Sequence, residues 1–451
     1  MIKCVEKALN ININSNINLF DYGMDSLQAI KLQTELMKDE INLSVQDIYD
    51  NPTLYQLIEF VRSGKKEKDT TKIMEKTVNE VKIKNKEINN VLLTGVTGYL
   101  GIYVLKSLME SNEKIKVTCL TRKYNNTNSS VERVRENIRY YFGESYVKKY
   151  MSRIDVFESD ISCEQFALDN NTYNALRIKT DVVINCAAIV SHYGNRDDVI
   201  KSNLNSISNI IEFVKGTDII FNHISTIGIS GNGLVKNSDC IKNTFTEDDL
   251  YIGQEYKNNI YVLTKALGEN NIYNNMDKIS ANVIRVGNLT NSEKDYKFQR
   301  NYTKNAFQTK IGELFKLGYI PKEILNNEYD ITPVDICADN IVKIALSGKY
   351  NGVYHVFNNK NIKIKDIIKI MYKVNGIKVE IINLQDFKEK LFKNNVNESL
   401  TLFQDVLIKD SNCIKVTNDI TLERGYGNFN TISEEYYYNM FKQLWRNANE
   451  K

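Results

Sequence analysis

No stretch of this sequence stays apolar long enough to cross a membrane. Its most apolar run, Val91 to Met109, is broken by Gly95, Gly98, Gly101 and Lys106, whereas a spanning helix needs about 20 predominantly apolar residues. The run reads instead as a buried strand, a glycine turn and a helix. The N-terminus lacks the basic start and apolar core of a secretory signal. Charge of one sign is also scarce: 59 Lys and Arg against 56 Asp and Glu leave a net +3, no basis for binding nucleic acid. The seven cysteines (Cys4, Cys119, Cys163, Cys186, Cys240, Cys337, Cys413) are scattered, none in a C-x-x-C pair or beside a histidine at metal-ligand spacing. They read as reduced structural residues, with no metal site and a cytoplasmic compartment. Histidine is rare: His192, His223 and His355 are the only three. Each lies in or beside an apolar run and is expected to be a satisfied structural residue. No Ser/His/Asp hydrolase order is visible.

What remains is an ordinary globular composition, 42% hydrophobic and 25% charged over 451 residues, long enough for two or three domains. A composition break separates two parts. The stretch from Ser63 through Gly-Lys-Lys-Glu-Lys-Asp-Thr-Thr is charged and poor in apolar residues, the signature of a linker, here placed at 63–88. The first 62 residues suffice only for a small helical module. Leu27, Ile30, Thr34 and Met37 share one helical face from Ser26 onward, and Thr53 is the expected N-cap of a helix over Leu54–Val61. In the larger part, seven short, almost continuously apolar runs alternate with helical stretches: Asn90–Thr94, Ile115–Thr121, Arg153–Glu158, Asp181–Ala187, Asp218–Ser225, Ala281–Val286 and Gly352–Phe357. Runs of that kind suit parallel strands buried on both faces, and their alternation with helices predicts a doubly wound α/β sheet. Residues 89–290 are assigned to a nucleotide-binding domain. Residues 291–451 are assigned to a smaller, mainly helical C-terminal lobe, with 331–359 returning to the sheet.

Three motifs carry chemistry. Asp21-Tyr-Gly-Met-Asp-Ser26-Leu27 puts a serine at the first turn of a helix after a glycine loop, where backbone N–H groups and the helix dipole favour a phosphate. The plainer reading of Ser26 is an N-cap alone. Thr94-Gly95-Val-Thr97-Gly98-Tyr99-Leu100-Gly101 is a G-x-x-G-x-x-G turn directly after a strand and into a helix. There the first glycine permits the turn, the second admits a pyrophosphate and the third lets helix pack on strand. Arg122 and Lys123 end the second strand, where an acidic residue would hold a free ribose 2′-hydroxyl. Two cations suit a 2′-phosphate, favouring NADPH, with Arg133 as a second ligand. Asp160 follows the third strand and would face the adenine, and Asn185-Cys-Ala187-Ala188 ends the fourth, where small residues let a cofactor pass. Thr226 ends the fifth strand, and Tyr261 and Lys265 stand four apart on the next helix, sharing a face. An adjacent ammonium is expected to lower the phenol's pKa and make Tyr261 a proton donor and acceptor.

The Asp21–Leu27 stretch, the helix after it and Ser44-Val-Gln-Asp-Ile-Tyr-Asp-Asn-Pro-Thr-Leu resemble the acyl and peptidyl carrier domains of thiotemplate synthases over residues 1–62. Met24, in place of a glycine common in peptidyl carriers, is more usual in polyketide-type ones. The resemblance implies a 4′-phosphopantetheine arm on Ser26, installed by a phosphopantetheinyl transferase. The short stretch before Asp21 implies a chain cut from a longer synthase.

Residues 88–450 resemble the extended short-chain dehydrogenase/reductase superfamily, and more closely the thioester reductase domains that end non-ribosomal peptide and polyketide synthases. Thr94–Gly101, Leu120-Thr-Arg122, Asp160, Asn185–Ala188, Ser225-Thr226, Tyr261 with Lys265, Arg285-Val-Gly-Asn288 and Thr332-Pro-Val-Asp335 carry it. The implied fold is a small all-α carrier domain joined to an α/β Rossmann-type doubly wound parallel sheet with a mainly helical substrate lobe. The implied cofactor site also includes Ile161, Asn203, Gly287 and Asn288. The implied activity is NADPH-dependent release of a carrier-tethered acyl or peptidyl thioester, delivered by upstream synthase modules, as an aldehyde, or as an alcohol after a second reduction. Thr226 and Tyr261 would bond the developing oxyanion, Tyr261 would give the proton and Lys265 would hold the nicotinamide ribose. Three rivals compete: a redox-inactive relative releasing product by condensation, a nucleotide-sensing module, and a sugar-nucleotide epimerase or dehydratase.

Overall fold

Seven parallel strands form where the seven apolar runs lie: β1 (Asn90–Thr94), β2 (Lys116–Thr121), β3 (Ile154–Glu158), β4 (Val182–Asn185), β5 (Ile220–Thr226), β6 (Ser280–Val286) and β7 (Val353–Val356). The structure, a computed structural model, describes residues 1–9, 18–21, 24, 28–29, 32–33, 35–36, 39, 41, 43–63, 73–78, 80–123, 129–189, 196–231, 244–254, 256, 259–301, 305, 311–312, 315–393, 414–429 and 432–449. The strand order is β7-β6-β5-β4-β1-β2-β3, so the chain reverses direction between β1 and β4. In open α/β sheets a ligand cleft opens at such a switch point, beyond the carboxyl ends of the strands. The doubly wound α/β expectation is borne out.

Alternation along each strand feeds two cores. Val91 and Leu93 of β1, with Val182 and Ile184 of β4, pack on one face, while Leu92 and Val183 pack on the other. On the first face lie α4 (Tyr99–Ser111) and α9 (Val334–Ala345); on the second lie α7 (Arg196–Val214) and α8 (Ile260–Tyr273). Between them come α5 (Ser130–Phe142) and α6 (Asn170–Lys179).

The N-terminal module contains α1 (Ile2–Leu9), α2 (Val45–Asp50) and α3 (Leu54–Ser63). Thr53 caps α3: its Oγ1 accepts from Gln56 N at 3.2 Å, and Gln56 Oε1 accepts from Thr53 N at 3.1 Å, a reciprocal capping box. Leu27, Ile30, Thr34, Met37 and Ser26 lie outside the described residues. Around them Ala29, Leu32 and Leu36 are buried. These side chains belong to one hydrophobic cluster with C-terminal residues such as Ile311, Phe315, Ile331 and Phe441.

Within the segment 63–88, Lys82–Ile83 pairs antiparallel with Lys349–Tyr350, and Thr77 N donates to Asp248 O at 2.9 Å. Beyond the sheet, α10 (Ile364–Asn375) and α11 (Glu434–Asn449) pack together. The Tyr436 hydroxyl is buried and donates to Asn291 O at 2.8 Å, placing this aromatic residue in the core of that part. Among the described residues no helix is long and apolar enough to cross a membrane, and no cluster of His, Cys, Asp or Glu could hold a metal ion. Cys4, Cys119, Cys163, Cys186 and Cys337 are free thiols. Cys163 is exposed rather than buried, and Cys240 and Cys413 lie outside the described residues.

Candidate active site

The turn after β1 is shaped by what its glycines avoid. Gly95 has φ +73°, and a Cβ there would stand 2.6 Å from the Ala187 nitrogen. A Cβ at Gly101 would collide with the backbone carbonyl of Gly95, so α4 seats directly on the turn. Gly98 is the N-cap of α4, supplies no side-chain cap and is exposed. The first N–H groups of a 13-residue helix are therefore left for an anion. Thr97 is exposed beside it and Leu100 half-buried. The Tyr99 hydroxyl turns away and donates to Thr290 O at 2.8 Å and Lys297 O at 3.0 Å, so this residue ties the turn to the segment after β6.

A buried chain of hydrogen bonds fixes the switch point. Thr94 Oγ1 donates to Asn185 Oδ1 at 2.6 Å, and the same oxygen accepts from Ala187 N at 3.2 Å. The Asn185 amide must then donate, which it does to His223 Nδ1 at 3.3 Å. His223 thereby carries its proton on Nε2, which has no partner. The expectation of a fully satisfied histidine fails there on one nitrogen, because Nε2 faces Gly268 of α8, which has no side chain to meet it. Burial, with the Lys265 charge, holds His223 well below its ordinary pKa. His355 is satisfied on both nitrogens, and His192 lies outside the described residues. Ala188 follows in the same loop, half-exposed. Asn203 on α7 braces this loop: its Oδ1 accepts from Ile189 N at 2.9 Å, and its Nδ2 donates to Thr264 Oγ1 of α8 at 3.2 Å.

At the far end, Arg122 and Lys123 are exposed just beyond β2. The Arg122 guanidinium has no ion-pair or hydrogen-bond partner among the described residues, while Lys123 lies 3.9 Å from Glu158. Arg133 donates to the Arg122 carbonyl at 2.8 Å, bracing that turn from α5. Asp160 Oδ1 accepts from Ser162 N and Oγ at 2.9 and 2.7 Å, shaping the turn after β3 beside Ile161. At the end of β6, a Cβ on Gly287 would collide with Asp330, whose carboxylate takes Asn288 N at 2.6 Å and Asn288 Nδ2 at 2.5 Å. Burial raises the Asp330 pKa, against the pull of those bonds.

Thr226 ends β5, and its Oγ1 accepts from Gly228 N at 3.1 Å. Asn259 caps α8 by accepting from Val262 N. That cap starts the helix so that Tyr261 and Lys265 follow on one face. Lys265 is buried and donates to the Ile224 carbonyl at 2.6 Å, with its Nζ 5.9 Å from the Tyr261 ring centroid. The expected lowering of the phenol's pKa is corrected here. Burial pushes Tyr261 up to about 12 and Lys265 down to about 8, and the ammonium, bonded to a backbone carbonyl, does not offset the desolvation of the phenol. The ends of β1, β4, β5 and β6 thus bring Thr94–Gly101, Asn185–Ala188, Thr226, Tyr261, Lys265 and Gly287–Asn288 to one edge of the sheet.

Two residues of this region carried no sequence signal that was used. Glu269 lies one turn beyond Lys265 and is fully buried on Arg285 at 2.7 Å. Asp330 holds Asn288. A buried acid in an apolar helix was the available cue for the first.

A profile described as Male sterility protein, an NAD-binding domain, matches residues 93–341, more than half of the chain. The chain belongs to the Male sterility protein family. A second profile, the phosphopantetheine attachment site, matches residues 1–61. The solved thiolation-reductase di-domain of an archaeal non-ribosomal peptide synthetase is similar to it at 27% identity and a TM-score of 0.80, covering 99% of this chain and 96% of that one. The reductase domain of a Mycobacterium tuberculosis synthetase, at 18% identity and TM-score 0.63 over 79% of this chain and 92% of its own, shares the fold. Probable polyketide synthase 6 of Dictyostelium discoideum is 24% identical over 80% of this chain. The chain spans only 13–15% of the length of such curated relatives. The expected pairing of a carrier domain with a reductase domain of extended short-chain dehydrogenase/reductase fold, and of phosphopantetheine with a nicotinamide cofactor, is borne out at that level.

Proposed function

We propose that this Male sterility family member releases a carrier-tethered acyl or peptidyl thioester by NADPH-dependent reduction, giving an aldehyde, or an alcohol after a second round. In this reading it works as the terminal part of a polyketide or peptide assembly line. What supports the proposal is Lys265 bonded to the Ile224 carbonyl, two residues before Thr226 at the end of β5, with Tyr261 one turn away on the same helix, beside an uncapped helix N-terminus in a chain that also matches a phosphopantetheine attachment profile.

The residues fit a nicotinamide dinucleotide: Gly98 at the start of α4 is exposed and without a side chain, so backbone can approach a pyrophosphate, and no side chain caps the first α4 N–H groups. NADPH, when bound, supplies the hydride. Arg122 and Lys123, with Arg133 behind them, suit its 2′-phosphate. Asp160 and Ile161 would line the adenine end, Asn185, Ala187, Ala188 and Asn203 the middle, and Gly287 and Asn288 the nicotinamide end. Tyr261 stays protonated at neutral pH because burial holds its pKa near 12, so it donates to the carbonyl oxygen as charge develops there. Thr226 supplies a second hydroxyl for that oxygen, a kind of stabilisation worth about 3 kcal/mol per donor. Lys265, fixed on the Ile224 carbonyl, holds a positive charge behind the phenol and offers its remaining protons to the cofactor's ribose. Ser26 would carry the phosphopantetheine arm after modification by a phosphopantetheinyl transferase, and upstream modules would load it.

The deciding experiment is single-turnover NADPH oxidation by the chain loaded at Ser26 with a simple aminoacyl-pantetheine, with products weighed by mass spectrometry. NADPH consumed with an aldehyde or alcohol released supports reduction, and the stoichiometry separates the two products. Release without NADPH consumption moves the function to condensation.

A further inference from the structure

One buried ion pair lies directly behind the reaction centre and has no part in the chemistry above. Arg285 on β6 and Glu269 on α8 have fully buried side chains, joined Nε to Oε1 at 3.2 Å, Nε to Oε2 at 3.1 Å and Nη2 to Oε2 at 2.7 Å. Burying two charges is costly, and such a pair adds little stability over apolar residues of the same volume. Its placement offers another reason. Glu269 is one helical turn from Lys265, on the same face of α8. Arg285 stands opposite Ser225 in the β5–β6 ladder, and the next pair is Thr226 with Val286. Joining Glu269 to Arg285 therefore fixes the rotation of α8 against the strand end that carries Thr226. That same rotation brings Lys265 to the Ile224 carbonyl.

The pair is itself held from behind. Arg285 Nη1 bonds His355 Nε2 at 3.0 Å, and His355 Nδ1 bonds the Thr417 carbonyl at 2.5 Å. A carbonyl only accepts, so Nδ1 carries the proton and Nε2 accepts from the guanidinium. The Tyr273 hydroxyl donates to Glu269 Oε2 at 2.9 Å. We propose that Glu269 and Arg285 are positioning residues of the reaction centre: the pair sets the turn of α8 that carries Tyr261 and Lys265, and the Glu269 carboxylate compensates the Lys265 ammonium in a dry interior. This rests on the reading of Lys265 as part of that centre. The titratable groups around Lys265 are Glu269 and Tyr261 on its own helix, Cys186 after β4 and His223 on β5. Those around Glu269 are Arg285, Tyr273 and Tyr256.

The test uses the whole chain. Lysine labelling by acetic anhydride over a pH series, followed peptide by peptide by mass spectrometry, gives the titration midpoint of Lys265 without any turnover. In Glu269→Gln that midpoint should fall, with roughly tenfold more labelling below the wild-type midpoint. In parallel, kcat for a soluble thioester should drop roughly tenfold or more while KM for the cofactor stays within about threefold. Should Glu269→Gln fail to fold, Glu269→Met with Arg285→Met, which removes both charges of the pair together, should fold and move the midpoint the same way by a smaller step. An unmoved midpoint in a folded variant overturns the proposal. A moved midpoint in a protein whose wild type reduces no thioester supports the pair's role and removes the thioester reductase reading instead.

Discussion

The Lys265 ammonium donates to the Ile224 carbonyl at 2.6 Å and stands 5.9 Å from the centroid of the Tyr261 ring. One backbone acceptor and the Glu269 carboxylate a helical turn away do not fully offset the burial of this ammonium, which lowers its pKa from 10.5 to about 8. Between those values the unfolded chain binds more protons than the folded one, so the stability of the cofactor-free protein rises with pH across that window. The penalty, roughly 3 kcal/mol for a shift of that size, is complete below about pH 8 and gone above the unfolded value. Lys265→Met should therefore be more stable than the wild type at neutral pH, by about 1–3 kcal/mol, and the gain should shrink above pH 8 and vanish only above the unfolded value of 10.5. Urea denaturation of both proteins over a pH series measures this. A gain that is flat with pH would mean that Lys265 titrates alike in the folded and unfolded chain and that burial does not depress its pKa.

Tyr261 is the proton donor of the proposed reaction, and burial keeps it protonated. Tyr261→Phe keeps the ring and loses the hydroxyl, so kcat should fall by about 10²–10⁴ while NADPH binding, measured by fluorescence titration, persists. Thr226→Val removes one of two oxyanion donors and should cost about 10²–10³ in kcat. A fully active Tyr261→Phe would remove the phenol from the chemistry.

The strands were legible because each is buried on both faces, leaving an almost unbroken apolar run, as from Val91 to Leu93 or Val182 to Ile184. Their ends then placed Thr94, Asn185 and Thr226 on one edge of the sheet. Glu269 and Asp330 were not legible, because their roles are set by partners far along the chain: Arg285 for one, Asn288 for the other. The direction of the Tyr261 shift was misread for a related reason. Helical spacing says which side chains share a face, but the carbonyl of Ile224, on another element, decides where the ammonium points.

Arg122 stands exposed at the end of β2, and its guanidinium has no ion-pair or hydrogen-bond partner among the described residues. A 2′-phosphate would gain charge-assisted bonds there, worth about 1.5–3 kcal/mol each. Arg122→Ala should weaken NADPH by roughly tenfold to a hundredfold and leave NADH nearly unchanged, as calorimetry of both nucleotides would report. Equal losses would point to a structural role for the arginine.

Gly101 and Gly98 separate folding from binding. A Cβ at Gly101 collides with the Gly95 backbone, which cannot give way. Gly101→Ala should lose several kcal/mol, in the range of about 1–3 for overpacking or more, and melt early. At Gly98 the nearest atom to a Cβ is Gly95 O at 3.2 Å and the residue is exposed. Gly98→Ala should melt close to the wild type yet bind the cofactor weakly, because the methyl group fills space meant for the pyrophosphate.

Ser26→Ala separates the carrier from the reductase. The phosphopantetheine attachment profile spans Ser26, whereas Thr226, Tyr261 and Lys265 belong to the sheet edge and α8. Loss of the serine hydroxyl should abolish attachment of the arm, seen as absence of the phosphopantetheine mass after incubation with a transferase and coenzyme A. Reduction of a soluble thioester should persist within about twofold, because no group at the reaction centre has changed. Turnover of tethered substrate should disappear with the attachment. If soluble turnover vanished as well in a folded protein, Ser26 would have a second role at the reaction centre, and the division of labour between the two parts of the chain would have to be redrawn.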